Sequence, residues 1–374
     1  MRIRLVRSRA DREEFLRFPW VVYASDPLWV PPLLTEERKR FDRTTHPFFE
    51  QGEAEWFLAH RGDTLCGRIC VSLDARFEKA WGVKAAWFGA FECLDSPEAA
   101  GALFEQARAW GLSRGATEIL GPAYFSMNEV CGLLVQGFDS PPPFLMPYNP
   151  AYYAKLVEGA GFARSKELLS YRTSSLPGER FRKMADRVRE RGGFTTRGFN
   201  PRTYDDDIKL IQTLYNQSWG DNWGAVPMTD REMAALAREI RPFADFELMR
   251  FAFAGDRPVA ICLSLPDINP LLKKLDGRMG LAGLLRFLWE RRRMKGARTI
   301  LFGVVPEFRA RGLDVLLMSE SVQIGLERGY TSLEMGWTLE DNHLINTFAA
   351  RLGSPSRRFR IYRQSLGSES AAFA

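Results

Sequence analysis

The feature that most restricts how these 374 residues can fold is that they repeat themselves. Gly111-Leu112-Ser113-Arg114-Gly115-Ala116-Thr117 recurs as Gly325-Leu326-Glu327-Arg328-Gly329-Tyr330-Thr331, at an offset of 214. Carried forward without gaps, that offset sets Asn128 on Asn342. Upstream, Gly62-Asp63 followed by Ile69-Cys70-Val71-Ser72-Leu73 is mirrored by Gly255-Asp256 followed by Ile261-Cys262-Leu263-Ser264-Leu265. Each reads as two β-rich runs joined by a Gly-Asp turn, the signature of a hairpin. Both copies also place an Asp shortly before a Trp, at Asp26 with Trp29 and at Asp221 with Trp223. Matches in one order at a long period mean duplication: two copies of one fold in tandem.

Each copy then reads strand, one or two helices, hairpin, strand, helix, strand, helix, strand. In the second copy the strands are expected over 194–197, 247–254, 259–265, 299–305, 332–336 and 358–363. Helices are expected over 205–218, 313–327 and 342–352, and Thr229-Asp230-Arg231-Glu232 is a capping box that opens another. Between the copies, 173–193 carries a Pro-Gly break and a strongly basic helix over 179–191. The expected organisation is a domain over 1–175, a basic linker helix over 176–193 with a boundary near Leu176, and a domain over 194–374.

Composition narrows the setting. Hydrophobic residues at 45% and charged residues at 26% are those of a globular chain. No apolar run approaches the roughly 18 residues of a membrane span, and the N-terminal MRIRLVRSRADREEF has no apolar core like a signal peptide's. Five cysteines form no CxxC pair and there are three histidines, so no metal and no disulfide framework is expected. The expected location is the cytoplasm, at most peripheral to the inner membrane. The net charge is +6, and only 10 of the 52 basic residues are Lys. Such an Arg excess reflects either genome base composition or an anionic partner.

The segment Leu301-Phe302-Gly303-Val304-Val305-Pro306-Glu307-Phe308-Arg309-Ala310-Arg311-Gly312-Leu313 is the most informative. A β-rich run ends in Pro-Glu, a basic Gly-containing turn follows, and an aliphatic helix starts at once. Unpaired N–H groups of the turn and first helical turn point at an anion, Gly312 admits it closely, and Arg309 and Arg311 neutralise it. Pro306 ends strand pairing, so the backbone groups of Val304 and Val305 are expected to stand free for a polar ligand. The equivalent place in the first copy, Phe91-Glu92-Cys93-Leu94-Asp95-Ser96-Pro97-Glu98, starts a helix well but has neither Gly nor Arg.

Here the sequence resembles the GCN5-related N-acetyltransferase (GNAT) superfamily, whose coenzyme A loop runs Gln or Arg, two residues, Gly, one residue, Gly or Ala. Val305-Pro306-Glu307-Phe308-Arg309 and Gly312 fit, whereas Asp314 stands where Gly or Ala is usual. The resemblance implies an α/β (α+β) fold of two tandem GNAT-like domains, each a mixed, mostly antiparallel twisted sheet flanked by helices. It also implies acyl-CoA held by Val304, Val305, Arg309, Ala310, Arg311, Gly312 and Leu313. The first copy is then a degenerate one that shapes or completes a site. Acyl transfer from a thioester to an amine needs a base, oxyanion donors and often an acid. Glu334 and Glu92 are the candidate bases, and Asn342 matches the superfamily's Asn at the start of the last helix. The superfamily's acidic Tyr falls on Ala349, leaving Tyr362, Tyr148, Tyr152 and Tyr153, among which the sequence does not choose.

Over nearly its whole length the chain is also similar to a narrower bacterial family of tandem acetyltransferase-like proteins, through Phe18-Pro19-Trp20, Gly121-Pro122, Ser126-Met127-Asn128-Glu129, Met146-Pro147-Tyr148-Asn149-Pro150 and Arg360-Ile361-Tyr362. Bacterial ceramide synthases, which join a fatty acyl group to a sphingoid base, resemble it. That implies a long-chain acyl donor and a lipid amine, with Asn128, Tyr148 and Asn149 among the substrate contacts. The apolar Pro-rich stretch 141–153 and the amphipathic insertion 277–295, with Leu281, Leu284, Leu285, Leu288 and Trp289 ahead of Arg291, Arg292, Arg293 and Lys295, fit such a reading. The insertion makes an anionic membrane surface a candidate partner, the alternative being a helix packed on the protein. No DNA-reading motif accompanies the basic helix, so nucleic acid is not an expected partner. An acyl-CoA-dependent N-acyltransferase is the leading expectation, and a non-catalytic pair that binds ligand or regulates is the alternative.

Overall fold

Strands form where apolar runs meet Gly, Pro or Asp. In the computed structural model, which describes residues 1–173, 179–290 and 293–367, they are β1 (Arg2–Leu5), β2 (Gly52–Arg61), β3 (Thr64–Asp74), β4 (Ala85–Cys93), β5 (Glu118–Gly121), β6 (Leu133–Gln136) and β7 (Ala163–Thr173) in the first part of the chain. β8 (Phe194–Gly198), β9 (Met249–Ala254), β10 (Arg257–Pro266), β11 (Gly296–Val304), β12 (Ser332–Leu339) and β13 (Ser354–Ser365) follow. The chain divides into two compact units. Unit 1 holds 1–168, 272–283 and the stretch from Arg357 onward; unit 2 holds 169–271 and 284–356. The boundary expected near Leu176 lies outside the described residues.

In unit 1, β1 to β5 lie side by side in chain order, and β13 pairs antiparallel with β5 from Tyr362↔Gly121 to Ser365↔Glu118. The Gly62-Asp63 turn closes the β2–β3 hairpin, with Arg61 opposite Thr64. β4 and β5 run parallel, which requires a crossover, here the helix Pro97–Ser113. Ser96 caps that helix and Pro97 takes its first position, as the sequence suggested. Its buried face, Leu103, Phe104, Ala107 and Trp110, packs with Phe88, Phe91, Ile119 and Tyr362.

Unit 2 repeats the order with β8 to β12, and residues 169–173 of β7 take the place that β13 takes in unit 1. Gly255-Asp256 closes the β9–β10 hairpin, and the helix Leu313–Glu327 is the crossover between parallel β11 and β12. The capping box at Thr229 and Glu232 is formed. The strand expected from 247 begins at Met249, because Asp245 caps a 3₁₀ turn over Phe246–Leu248. The strand expected to stop at 336 continues to Leu339, and the last strand is longer than expected at both ends.

The repeat extends to individual hydrogen bonds. In unit 1, Ala116 N–H donates to Gly111 O (3.0 Å) and Thr117 N–H to Lys84 O (2.9 Å). In unit 2, Tyr330 N–H donates to Gly325 O (2.9 Å) and Thr331 N–H to Lys295 O (2.8 Å). Gly115 and Gly329 both sit in the left-handed region that ends a helix, at φ 75° and 87°.

The two parallel ladders end differently. In unit 1 the register ends at Trp87↔Leu120, and the next segment closes on β4 as Ala123 N–H donates to Phe88 O at 2.9 Å. A Cβ at Gly89 would lie 2.0 Å from Ala123 O. Gly89→Ala is therefore expected to destabilise the protein by about 3 kcal/mol, the upper end for overpacking, with the midpoint of urea unfolding as the readout. In unit 2 the β11–β12 register ends at Thr299↔Met335, and β11 continues to Val304 paired with β10 at Ala260.

Candidate active site

Past the end of its ladder with β12, β11 leads into the basic turn. Pro306–Phe308 is a 3₁₀ turn, Arg309 is extended, and Ala310 and Gly312 are left-handed at φ 59° and 83°. Turns that interleave left-handed residues with others can gather N–H groups into an anion-binding concavity, a nest. No side chain caps the helix Leu313–Glu327 that begins at Gly312. Its first-turn N–H groups and the helix dipole thus favour an anion there. Asp314, in that first turn, works against it.

The basic side chains are partly engaged already. Arg309 donates from Nε to Val304 O at 3.3 Å and from Nη2 to Ser218 O at 3.0 Å, and its Nη1 is 4.0 Å from Asp221. The Arg311 guanidinium lies 4.9 Å over the Phe308 ring. Val305 N–H donates to Val259 O at 2.9 Å, so the expectation of free backbone at Val304 and Val305 is corrected: the 3₁₀ turn keeps Val305 on β10 and brings Arg309 back to Val304.

The basic helix Glu179–Gly192 packs against this turn within unit 2. Val188 Cγ2 would be 2.6 Å from a Cβ at Gly312, and Arg189 pairs with Glu320 at 3.1 Å. Phe181 and Phe302 both lie against Phe348, with ring centroids 6.2 and 6.0 Å apart. Phe348 is on the helix His343–Leu352, whose start Asn342 caps by accepting from Ile345 N–H at 3.4 Å. Ala349, where the superfamily tyrosine would be, is buried.

Glu334 sits on β12 one residue before the last paired position and is 3% exposed. Ser170 and Ser356 donate to its Oε1, and Arg172 Nε donates to Oε2 at 2.9 Å. None of these partners had a sequence signal, since β7 and β13 bring them from distant chain positions. Asn346, also missed, accepts from Thr338 and Tyr171 and donates to Leu339 O at 2.8 Å.

The remaining candidates are in unit 1. Glu92, on β4, is buried; Tyr23 and Tyr153 donate to its Oε2 at 2.9 and 2.8 Å, and Arg68 lies 3.7 Å from Oε1. Burial pushes its carboxyl above the usual value despite the Arg68 charge and the tyrosine hydroxyls. Tyr23 also reaches the carbonyl of Tyr148 at 3.3 Å, and Tyr148 donates to Asp26 at 2.7 Å. Asn149 brackets β6, accepting from Leu134 N–H at 2.7 Å and donating to Leu134 O at 3.1 Å. Asn128 lies in a turn, its N–H on Ser126 Oγ at 3.2 Å, whereas its repeat partner Asn342 caps a helix. Tyr362 is buried and donates to Glu158 at 2.9 Å; burial and that carboxylate push its hydroxyl up to about 12. The Tyr362 hydroxyl is therefore protonated at neutral pH.

Among the described residues, no three His, Cys, Asp or Glu side chains converge as a metal site, and no helix is long and apolar enough to cross a membrane. No family model matches the chain. Over 376 aligned positions, covering 96% of each chain, it is 32% identical to the bacterial ceramide synthase of Caulobacter vibrioides (strain NA1000 / CB15N). The chain belongs to the bacterial ceramide synthase family. Protein YghO of Escherichia coli (strain K12) is 30% identical over 375 positions, which cover 97% of this chain and 95% of that one. The family's fold is shared with a tandem GNAT protein from the clavulanic acid biosynthesis pathway, at TM-score 0.57 and 14% identity over 98% and 99% of the chains. A GCN5-related N-acetyltransferase from Sphaerobacter thermophilus gives TM-score 0.53 at 13% identity over 98% and 95%. As a bacterial ceramide synthase family member with this fold, the chain is an N-acyltransferase.

Proposed function

We propose that this ceramide synthase family member takes a fatty acyl group from acyl-CoA and joins it to the amine of a lipid, a sphingoid base being the acceptor that the Caulobacter relative's name suggests. The reading is carried by the nest at Ala310–Gly312, which follows a strand that leaves its parallel partner at Thr299. In it, N–H groups of Arg311, Gly312 and Leu313 hold the coenzyme's phosphates, and Arg309 and Arg311 neutralise them. The acyl thioester lies along β11 beyond Thr299, where its ladder with β12 has ended. Unit 1 is the copy without a coenzyme, because Ala123 closes the equivalent place.

Chemically, the acceptor ammonium gives up a proton, and its nitrogen attacks the thioester carbon. The C–N bond forms as C–S breaks, and the nitrogen sheds its second proton, which balances the one that the departing thiolate takes up. We assign Glu334 as the base on the coenzyme half, with Ser170 and Ser356 fixing its carboxylate. Asn342 caps the helix His343–Leu352 that follows β12. Glu92 and Tyr362 are the unit 1 alternatives for base and acid, and Asn128, Tyr148 and Asn149 are assigned to the acceptor. We place the chain in the cytoplasm, at most peripheral to the inner membrane.

Ligand at about 100 times its dissociation constant stabilises a protein by roughly 2.7 kcal/mol. Coenzyme A and palmitoyl-CoA are therefore each expected to raise the melting temperature, and Arg309→Ala/Arg311→Ala is expected to lose the rise. No rise with either ligand would end the assignment. A larger effect of palmitoyl-CoA than of acetyl-CoA at equal concentration is expected for a long-chain donor.

A further inference from the structure

β10 and β11 are antiparallel neighbours that a short hairpin would join, yet residues 267–295 intervene. That connection carries the helices Asn269–Leu275 and Leu281–Glu290. The second is pinned from one side: Phe287 is 3% exposed, with its ring 5.2 Å from Phe243 and nearly perpendicular to it. Glu290 is buried and accepts from Arg286 Nε at 2.9 Å. Leu285 and Trp289, four residues apart and so one above the other on the helix, are 69% and 61% exposed. A protein that needed only a hairpin here has built a helix that shows water a leucine and a tryptophan.

The surroundings of the pair indicate what covers it. The Arg293 guanidinium lies 3.6 Å over the Trp289 ring, and Arg286 is exposed one residue from Leu285. The sequence continues Arg291-Arg292-Arg293-Met294-Lys295, of which Arg291 and Arg292 lie outside the described residues. An apolar pair flanked by Arg286 and Arg293 is poorly matched to a second copy of a chain whose net charge is +6. It matches a surface that offers hydrocarbon beneath anionic headgroups, where tryptophan and arginine both settle. We infer that the Leu285–Trp289 face is a docking surface for an anionic phospholipid bilayer, with Leu285 and Trp289 entering the headgroup–acyl boundary and Arg286 and Arg293 on the phosphates. The inference stands on this surface and does not depend on the reaction proposed above.

The full chain should co-float with phosphatidylcholine vesicles containing phosphatidylglycerol, and at least tenfold less with phosphatidylcholine alone. Raising salt to 0.5 M, where screening is within about 4–5 Å, should release it. Leu285→Glu/Trp289→Glu should lower partitioning at least tenfold. These side chains are exposed, so the variant should keep the wild-type melting temperature and its turnover of a water-soluble short-chain substrate. Arg293→Glu should reduce binding to anionic vesicles and leave neutral ones unchanged. The inference is overturned if wild type ignores anionic vesicles, if it binds neutral ones equally, or if the double Glu variant binds like wild type. Loss of a concentration-dependent dimer in that variant, without a change in vesicle binding, would assign the face to a second copy instead.

Discussion

Gly312→Ala is expected to abolish measurable acyl-CoA stabilisation and to lower turnover by about a hundredfold, the equivalent of roughly 2.7 kcal/mol. Gly312 lies at φ 83°, where a side chain costs about 1–2 kcal/mol. A Cβ there would also be 2.6 Å from Val188 Cγ2. Either the turn relaxes, which scatters the N–H groups of the nest, or the helix Glu179–Gly192 is pushed away. Gly255→Ala provides the control. Gly255 has a similar φ of 60° but open space around its Cβ position, and it closes a hairpin. It should lose comparable stability and retain coenzyme binding. Isothermal titration with coenzyme A on both variants separates the two effects, and equal affinities in both would contradict a role for Gly312 in the coenzyme turn.

Glu92→Ala is expected to be the most damaging single change to stability, at about 3–5 kcal/mol, because it strands a buried cation. Arg68 is 1% exposed and, besides its ion pair with Glu92, donates from Nη1 to Phe15 O at 2.7 Å. Tyr153 would lose its acceptor as well, and Tyr23 would keep only the longer contact with the Tyr148 carbonyl. Glu92→Gln keeps an acceptor and should be milder, with a pH signature. The folded-state pKa of Glu92 lies above its ordinary 4.5, so the folded protein binds this proton more tightly than the unfolded chain does. Its unfavourable contribution is absent below that value and grows as pH rises through the folded pKa. Wild type should therefore lose stability relative to Glu92→Gln over that window, as measured by urea unfolding at successive pH values. Parallel curves would mean that Glu92 takes up no proton on folding.

Local signals are legible in the chain. The two Gly-Asp hairpins, the Thr229–Glu232 capping box, the Ser96-Pro97 start and the helix Leu313–Glu327 each depend on neighbours a few residues apart. The basic turn is legible for the same reason, since one stretch supplies the strand end, the glycine and the helix. Less accessible is the arrangement by which the end of β7 completes unit 2 and the end of β13 completes unit 1. Strand partners far apart in sequence leave no periodic trace. That exchange supplies Ser170 and Arg172 to Glu334, and it places Tyr362 opposite Gly121. The environment of Glu92 is hidden likewise, because Tyr23, Arg68 and Tyr153 reach it from three different elements. Sequence could name the carboxylates but not what holds them.

The most direct experiment incubates the purified chain with palmitoyl-CoA and a panel of amines, sphinganine included, and tracks free thiol together with the amide by mass spectrometry. The expected result is one thiol released per amide formed, with sphinganine among the accepted amines and both signals lost in Arg309→Ala/Arg311→Ala. Thiol release without amide, or amide formation that survives the loss of both arginines, would contradict it.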